Sequence, residues 1–335
     1  MKSWSRLKKM KRSPEIDQIL KLIREKSTFL ITSHKDPDGD SIGSQMGLYH
    51  ALINSGKKVI IVNEGGMPDK YGFLDPENII RFDNVQLPFV PEVVFILECP
   101  ALDRIGFVMG LIPKTAITIN VDHHLGNENH SEINYVGTSS CAVGEIIYAI
   151  LKIGEFHITQ LIAENLYTAI ICDTGNFRFA STTAQGMEAA SELVNLGARP
   201  KVLSDNIYSK FSLETTRLLG LTLESLRTIA DGQIGYMKIT RESVKRAAAR
   251  LEDSEGFVDF SLAIKGVRMG ILFKEVDENE TRVSIRSQNG MNAVLFAKMF
   301  DGGGHTNAAG FTVKEPLENT VKDVLDKATE YVARK

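Results

Sequence analysis

The sequence predicts an α/β protein: a parallel-sheet domain with helices on both faces, followed by a smaller mixed α/β domain. Three observations predict it. In the first half, short apolar runs alternate with helical stretches, as expected for strands buried on both sides and joined by crossover helices. The pattern breaks over residues 197–200, and beyond Gly232 the strand-like runs alternate apolar and polar residues, as in a mixed sheet with a more exposed face. Finally, 335 residues exceed what one hydrophobic core usually serves. The expected division is a first domain over 1–197, a helical linker over 198–228 and a second domain over 229–335.

The elements follow in order. Residues 14–25 place Ile16, Ile19, Leu20 and Ile23 on one helical face. Next come a buried strand TFLIT, a helix over 41–54 and a second strand KVIIVN. The runs VVFIL and TAITINV give two more strands. Helices are expected near 142–152, 159–171 and 183–196, with Ser139 and Ser140 placed to cap the first of them. A polar helical stretch covers 201–228. Strands over 233–239, 268–275 and 281–287 then alternate with, or precede, helices near 241–250 and 292–299. No internal repeat or low-complexity tract interrupts them.

Composition narrows the function classes. With 43 % hydrophobic and 24 % charged residues the chain reads as soluble and globular. A net charge of −3 supplies no global field for long duplex nucleic acid, whereas a small phosphorylated ligand needs only a local positive site. Cys99, Cys141 and Cys172 are odd in number and far apart, which argues against a disulfide framework or a cysteine zinc site and suits a reducing cytoplasm. The basic start through Arg12 lacks the apolar stretch of a signal peptide and reads as a solvated helix end. No apolar run approaches the roughly 20 residues that span a bilayer, so no membrane association is expected.

The chemistry concentrates at strand ends. His34-Lys35-Asp36-Pro37-Asp38-Gly39-Asp40 directly follows TFLITS and offers four ligand side chains within seven residues. Glu98 ends VVFIL, and Asp122-His123-His124 ends TAITINV. In an open parallel sheet such carboxyl ends converge on one crevice. Mixed imidazole and carboxylate ligands suit Mn²⁺, with zinc, Fe²⁺ or Co²⁺ as alternatives, and several carboxylates allow one to bridge two ions. Asp-Pro-Asp-Gly-Asp also has the composition of a plain turn. An EF-hand fails, because position six from Asp36 is Ser41 rather than Gly and position twelve is Gly47 rather than Glu. A His pair alone would more often be core or surface, but ionisable groups directly after a buried strand need a reason to be there.

Together these residues resemble the DHH phosphoesterase superfamily, whose name-giving motif reads here as Asp122-His123-His124. HKDPDGDSIGS looks like its first motif, and ICDTGNFRF, containing Asp173, like its fourth. DGGGHTNAAGF, preceded by VSIRS, resembles the signature of the DHHA1 domain. The resemblance runs from about residue 28 to 313. Length and the lack of extra domains are similar to the stand-alone nanoRNase/pAp-phosphatase group, which hydrolyses RNA dinucleotides and other short oligonucleotides and in many members removes the 3′-phosphate of pAp.

The resemblance implies two divalent ions, Mn²⁺ first, with Mg²⁺, Co²⁺ or Fe²⁺ as alternatives. One ion would be held by His34, Asp38 and Glu98, the other by Asp40, Glu98, His123 and Asp173, with Glu98 bridging. Asp122 would orient an imidazole or the loop, and His124 would face the substrate phosphate and assist the leaving group. Arg286, Gly302, Gly303, Gly304 and His305 would grip the substrate, the glycine turn as an anion-binding nest. Arg104 is a further candidate contact, with a salt-bridge role as its ordinary alternative. In one respect the chain departs from the family, which normally has Asp where Glu98 stands; Asp103-Arg104-Ile105-Gly106 still matches. The expected partners are short RNA oligonucleotides or nucleotides, with a homodimer also expected. The rival readings are a linear or cyclic dinucleotide phosphodiesterase and, from another class, a non-catalytic nucleotide-binding regulator, which Glu98 alone favours.

Overall fold

The computed structural model describes residues 12–82, 86–304 and 306–334. The basic start read as a solvated helix end lies, through Lys11, outside the described residues. The chain forms two compact units that meet in sequence at Lys210 and Phe211.

The first unit opens with α1 (Pro14–Glu25), capped by the Ser13 side chain and buried through Ile16, Ile19, Leu20 and Ile23, the face its periodicity predicts. β1 (Thr28–Thr32), α2 (Gly39–Asn54), β2 (Lys58–Val62), β3 (Ile80–Arg81), β4 (Val93–Leu97), β5 (Ile117–Asp122) and β6 (Ile133–Val136) follow. All six strands pair in parallel, in the order β3-β2-β1-β4-β5-β6. The order reverses between β1 and β4. A crevice opens outside the carboxyl ends at such a switch point, where ligands bind in open α/β sheets. Alternate residues of the central strands feed two cores. Phe29, Ile31, Phe95 and Leu97 join the α-helical side, and Leu30, Val94 and Ile96 pack with Ile105 and Val108 of the 3₁₀-helix Leu102–Leu111.

Four more helices complete the unit: α3 (Val143–Ile153), α4 (Gln160–Asp173), α5 (Ala184–Asn195) and α6 (Pro200–Tyr208). The contact between α2 and α4 positions the chemistry. Gly39, Gly43 and Gly47 recur every four residues on α2 and form a trough with no side chains. A Cβ at Gly43 would lie 2.5 Å from the Asn165 carbonyl oxygen and 2.9 Å from the Ala169 nitrogen, and one at Gly47 would lie 2.5 Å from Leu166 Cδ2. Backbone can therefore approach backbone, and the end of α4 reaches the start of α2. Gly43→Ala should destabilise the fold by about 1–3 kcal/mol, because both obstacles at that site are main-chain atoms that cannot rotate away. Denaturant titration would measure the loss, and an unchanged midpoint would rule out so close a helix contact.

The second unit contains α7 (Leu213–Glu224), β7 (Arg227–Ile229), β8 (Ile234–Ile239), α8 (Arg241–Ala247), α9 (Val258–Leu262), β9 (Met269–Asp277), β10 (Glu280–Ser287), α10 (Ala293–Ala297), β11 (Gly303–Gly304), β12 (Ala308–Val313) and α11 (Leu317–Ala333). Its sheet runs β11-β12-β10-β9-β8-β7, antiparallel except for β8 with β9. The expected mixed α/β architecture is what forms. Met291 and Phe296 are core residues, as expected. Among the described residues, no helix is long and apolar enough to cross a membrane.

Candidate metal centre

The first motif sits where β1 gives way to α2. Asp38 caps α2, its carboxylate accepting from the amides of Asp40 and Ser41 at 3.1 and 3.0 Å. That turn leaves His34, Asp38 and Asp40 around one helix N-terminus. The His34 Nδ1–H donates to the Lys35 carbonyl at 2.8 Å, which turns Nε2 toward Glu98, 3.6 Å from its Oε2.

Asp40 is 1 % exposed and has a second duty. Its carboxylate accepts from the amides of Val143 and Gly144 at 2.6 and 2.9 Å and from Ser44 Oγ at 2.9 Å. Ser139 and Ser140, expected to cap α3, do not do so: the N-cap position is Ala142, and no side chain caps there locally. Asp40 satisfies the first-turn amides from across the fold instead, and its negative charge complements the helix N-terminus.

Glu98 lies just past β4, 2 % exposed, with φ 52°, a left-handed backbone that few side chains adopt. Its amide donates to Val121 at 3.0 Å, which holds it beside the end of β5. There Asp122 is fully buried and organises the next loop. Oδ1 accepts from the amides of His123 and His124, at 2.8 and 3.3 Å, and from His124 Nδ1 at 2.7 Å. Oδ2 accepts from Asn127 Nδ2 at 2.5 Å. The same Asn127 nitrogen lies 2.8 Å from Asn120 Oδ1, and the Asn120 amide reaches the carbonyls of Ile96 and Cys99 at 3.0 and 3.2 Å. The two strand ends are thereby tied together. His123 donates from Nδ1 to the Ser140 carbonyl at 3.2 Å and turns Nε2 to Asp173 Oδ2 at 3.5 Å.

Ligand atoms gather in three interlocking groups, each spanning no more than 4.8 Å: His34, Asp38 and Glu98; Asp40, His123 and Asp173; Glu98, His123 and His124. Glu98 and His123 each belong to two groups. The expected ligands thus come together at one place. Arg104 follows on the 3₁₀-helix after Glu98; its carbonyl accepts from the Lys35 amide at 2.7 Å, and burial, with a smaller push from the Arg104 charge, lowers the proton affinity of His34. Ser41, Ser44, Asn120 and Asn127 were not among the expected site residues. Asn120 was detectable as the one polar amide inside TAITINV, and Ser44 by its four-residue spacing from Asp40.

Electrostatics test whether this donor set fits a cation. Burial, then neighbouring carboxylates, pushes Glu98 well above its usual value. Asp40 is raised by burial to about 6, and Asp173 by burial and Asp40 to about 8. Asp122 goes the other way: burial opposes ionisation, but His124, Asn127 and the His123 amide outweigh it and hold the carboxyl at about 2. Crowded carboxylates resisting ionisation beside imidazoles form a set that a divalent cation relieves. Four carboxylates (Asp38, Asp40, Glu98 and Asp173) and the imidazoles of His34 and His123 fit Mn²⁺ and its neighbours. Cys99 and Cys172 flank the site, but burial lifts both thiols far above the range in which they ionise, so they remain inert.

Of the other expected residues, Arg286 lies on β10, its Nε 3.3 Å from Asp259 Oδ1. Gly303 and Gly304 form the edge strand β11, and the Gly302 amide donates to the Ala297 carbonyl at 3.0 Å. A Cβ at Gly302 would lie 2.5 Å from the Gly310 oxygen, so strand packing accounts for that glycine. His305 lies outside the described residues.

The fold and this cluster define a metal-dependent phosphoesterase of two domains, and the chain belongs to the DHH family. The model of the DHH family, N-terminal domain, matches residues 28–170, and that of the DHHA1 domain matches residues 236–334. The chain is 30 % identical over 328 residues to the bifunctional oligoribonuclease and PAP phosphatase NrnA of Thermus thermophilus, covering 95 % of this chain and 94 % of that one. It is 25 % identical to the protein of the same name from Bacillus subtilis, over 88 % of this chain and 92 % of the relative. A crystal structure of an exopolyphosphatase-related protein from Bacteroides fragilis superposes with a TM-score of 0.90 at 28 % identity, covering 97 % of this chain and 98 % of that one.

Proposed function

We propose that this phosphoesterase hydrolyses short oligoribonucleotides, dinucleotides by preference, to mononucleotides, and pAp to AMP. The observation that carries the reading is the sharing of Glu98 and His123 among three ligand groups at the sheet's switch point. The near-full-length similarity to relatives named oligoribonuclease and PAP phosphatase supports the choice of substrate.

In this reading His34, Asp38 and Glu98 hold one divalent ion, and Asp40, Glu98, His123 and Asp173 a second, Mn²⁺ being the first choice. Such ions polarise a phosphoryl oxygen and bring the pKa of water near neutral. The protein's own groups do the rest. Asp122 fixes the His124 ring, so the imidazole meets the substrate through Nε2, offsets charge on the phosphoryl oxygens and delivers a proton to the leaving oxygen. Arg104 lies near His34 to attract the phosphate. Arg286, with Gly303 and Gly304, binds a terminal phosphate, which displaces Asp259 from the guanidinium, while Gly302 serves the strand packing that shapes the turn. The enzyme acts in the cytoplasm, as a homodimer.

Asp122→Asn tests the proton path. An amide cannot accept from both His124 and Asn127, so one contact becomes donor against donor. Turnover should fall about 100-fold or more, with KM for substrate changed far less; equal kcat in the variant would remove His124 from the chemistry. The substrate reading is tested by giving the Mn²⁺-loaded protein a linear RNA dinucleotide, pAp or a long RNA and following products by chromatography. Preferential loss of the dinucleotide and pAp, abolished by chelation, is expected. Long RNA consumed as readily, or no hydrolysis with metals bound, would overturn it.

A further inference from the structure

Glu98 carries one methylene more than the aspartate that the family resemblance leads one to expect, and the structure provides a partner for it. Ser41, in the first turn of α2 and fully buried, donates its hydroxyl to Glu98 Oε2 and lies 3.1 Å from His34 Nε2. These three groups meet where two of the three ligand clusters join.

The hydroxyl has one proton to give. His34 has already committed its Nδ1–H to the Lys35 carbonyl, so Nε2 presents a lone pair. Ser41 can therefore donate to Nε2 or to Glu98. Were a cation to take that lone pair, the carboxylate would be the acceptor that remains. The backbone adds its own constraint, because φ 52° at Glu98 fixes the direction in which the side chain leaves the strand. An extra rotatable bond in a buried side chain must still be ordered, at an entropic cost that an aspartate does not carry. A donor held rigidly on a helix turn meets that requirement.

We propose that Ser41 is a positioning residue for Glu98, and that the two act as a unit in which the serine hydroxyl holds the longer carboxylate turned into the ligand cluster, where it would serve divalent cations. The inference rests on the two-metal reading above and adds a specific determinant to it. A side chain one methylene shorter at residue 98 draws its carboxylate back from Ser41, so on this proposal the serine should matter chiefly while Glu98 is present.

A double-mutant cycle tests this with metal affinity as the readout, by calorimetric titration of the metal-free protein with Mn²⁺. Ser41→Ala should weaken Mn²⁺ binding about 10-fold or more, the range seen when a ligand's hydrogen-bond partner is removed. In the Glu98→Asp background the same change should have an effect of less than about 2-fold, within the additivity error of independent sites. Alanine is well tolerated in a helical first turn, and circular dichroism melting of each variant separates misfolding from weakened binding. Wild-type Mn²⁺ affinity in Ser41→Ala, or equal losses in both backgrounds, would overturn the inference while leaving the metal reading intact. A wild-type protein that binds no Mn²⁺ would overturn both.

Discussion

His123→Ala should abolish hydrolysis while leaving the protein folded. His123 belongs to two of the three ligand groups, so its loss weakens one cation directly and loosens the junction with the other. Several kcal/mol of transition-state stabilisation depend on such ions, and each 1.36 kcal/mol is a factor of ten, so turnover should drop about 10³-fold or more. The fold has little stake in the imidazole. Its Nδ1 bonds the Ser140 carbonyl, and its Nε2 points into the ligand cluster, 3.5 Å from Asp173 Oδ2. Asp40 would be a poorer probe, because it also satisfies the first-turn amides of α3, and its removal would mix structural with chemical loss. Steady-state kinetics at limiting Mn²⁺, beside a melting curve, separates the two effects. Turnover near that of the wild type would exclude His123 from the site.

The second large effect is on stability and follows from the raised carboxyl pKa values. Below the ordinary carboxylate value of 3.8, folded and unfolded chains are both protonated at Asp40 and Asp173, so neither residue contributes. As pH rises, the unfolded chain releases these protons first, because the folded values are about 6 and about 8. The folded state then holds more protons at these two sites than the unfolded one, so their contribution to the stability of the metal-free protein falls from about pH 4 upward until about pH 8, above which the loss is complete. Glu98, raised in the same direction, adds to it. A divalent cation replaces those protons. Mn²⁺ should therefore raise the melting temperature by about 5–10 °C at about pH 8 and by little at about pH 5, where protons compete for the same oxygens. Melting curves with and without chelator across that range measure it. A metal-induced shift that does not grow with pH would contradict the placement of three ligands in a mutually repelling cluster.

What the sequence made legible follows from the locality of each signal. His34, Asp38 and Asp40 lie in one contiguous motif after a strand whose burial is written in five consecutive residues, and Glu98 and Asp122 end strands of the same kind. Asp173 reaches the cluster differently, through α4 lying in the glycine trough of α2, a contact set by Gly43 and Asn165 more than a hundred residues apart in sequence. Its place was read from motif resemblance rather than periodicity. The Asp40 cap on α3 is non-local in the same way, which is why nearby Ser139 and Ser140 looked like the natural caps. Strands β6 and β12 and helix α11 leave little trace in the sequence for a simpler reason. Every residue of β6 is half-buried, so it carries no clean alternation. β12 contains Gly310 and two alanines, and the apolar stripe of α11 is diluted by Thr320 and Ala328.

The polar helical stretch after residue 200 resolves into α6 and α7, with the two compact units meeting in sequence between them. No compositional break marks Lys210 and Phe211; packing defines the point. Buried Leu203 and Ile207 join the core of the first unit, and Leu218 joins that of the second.

The most direct test of the central claim is anomalous diffraction from crystals of the wild-type protein grown with Mn²⁺. Two peaks are expected, one against His34, Asp38 and Glu98 and the other against Asp40, His123 and Asp173, with the Glu98 carboxylate between them. No peak among these residues, or a single peak with Glu98 turned away from it, would contradict the assignment of a two-metal centre.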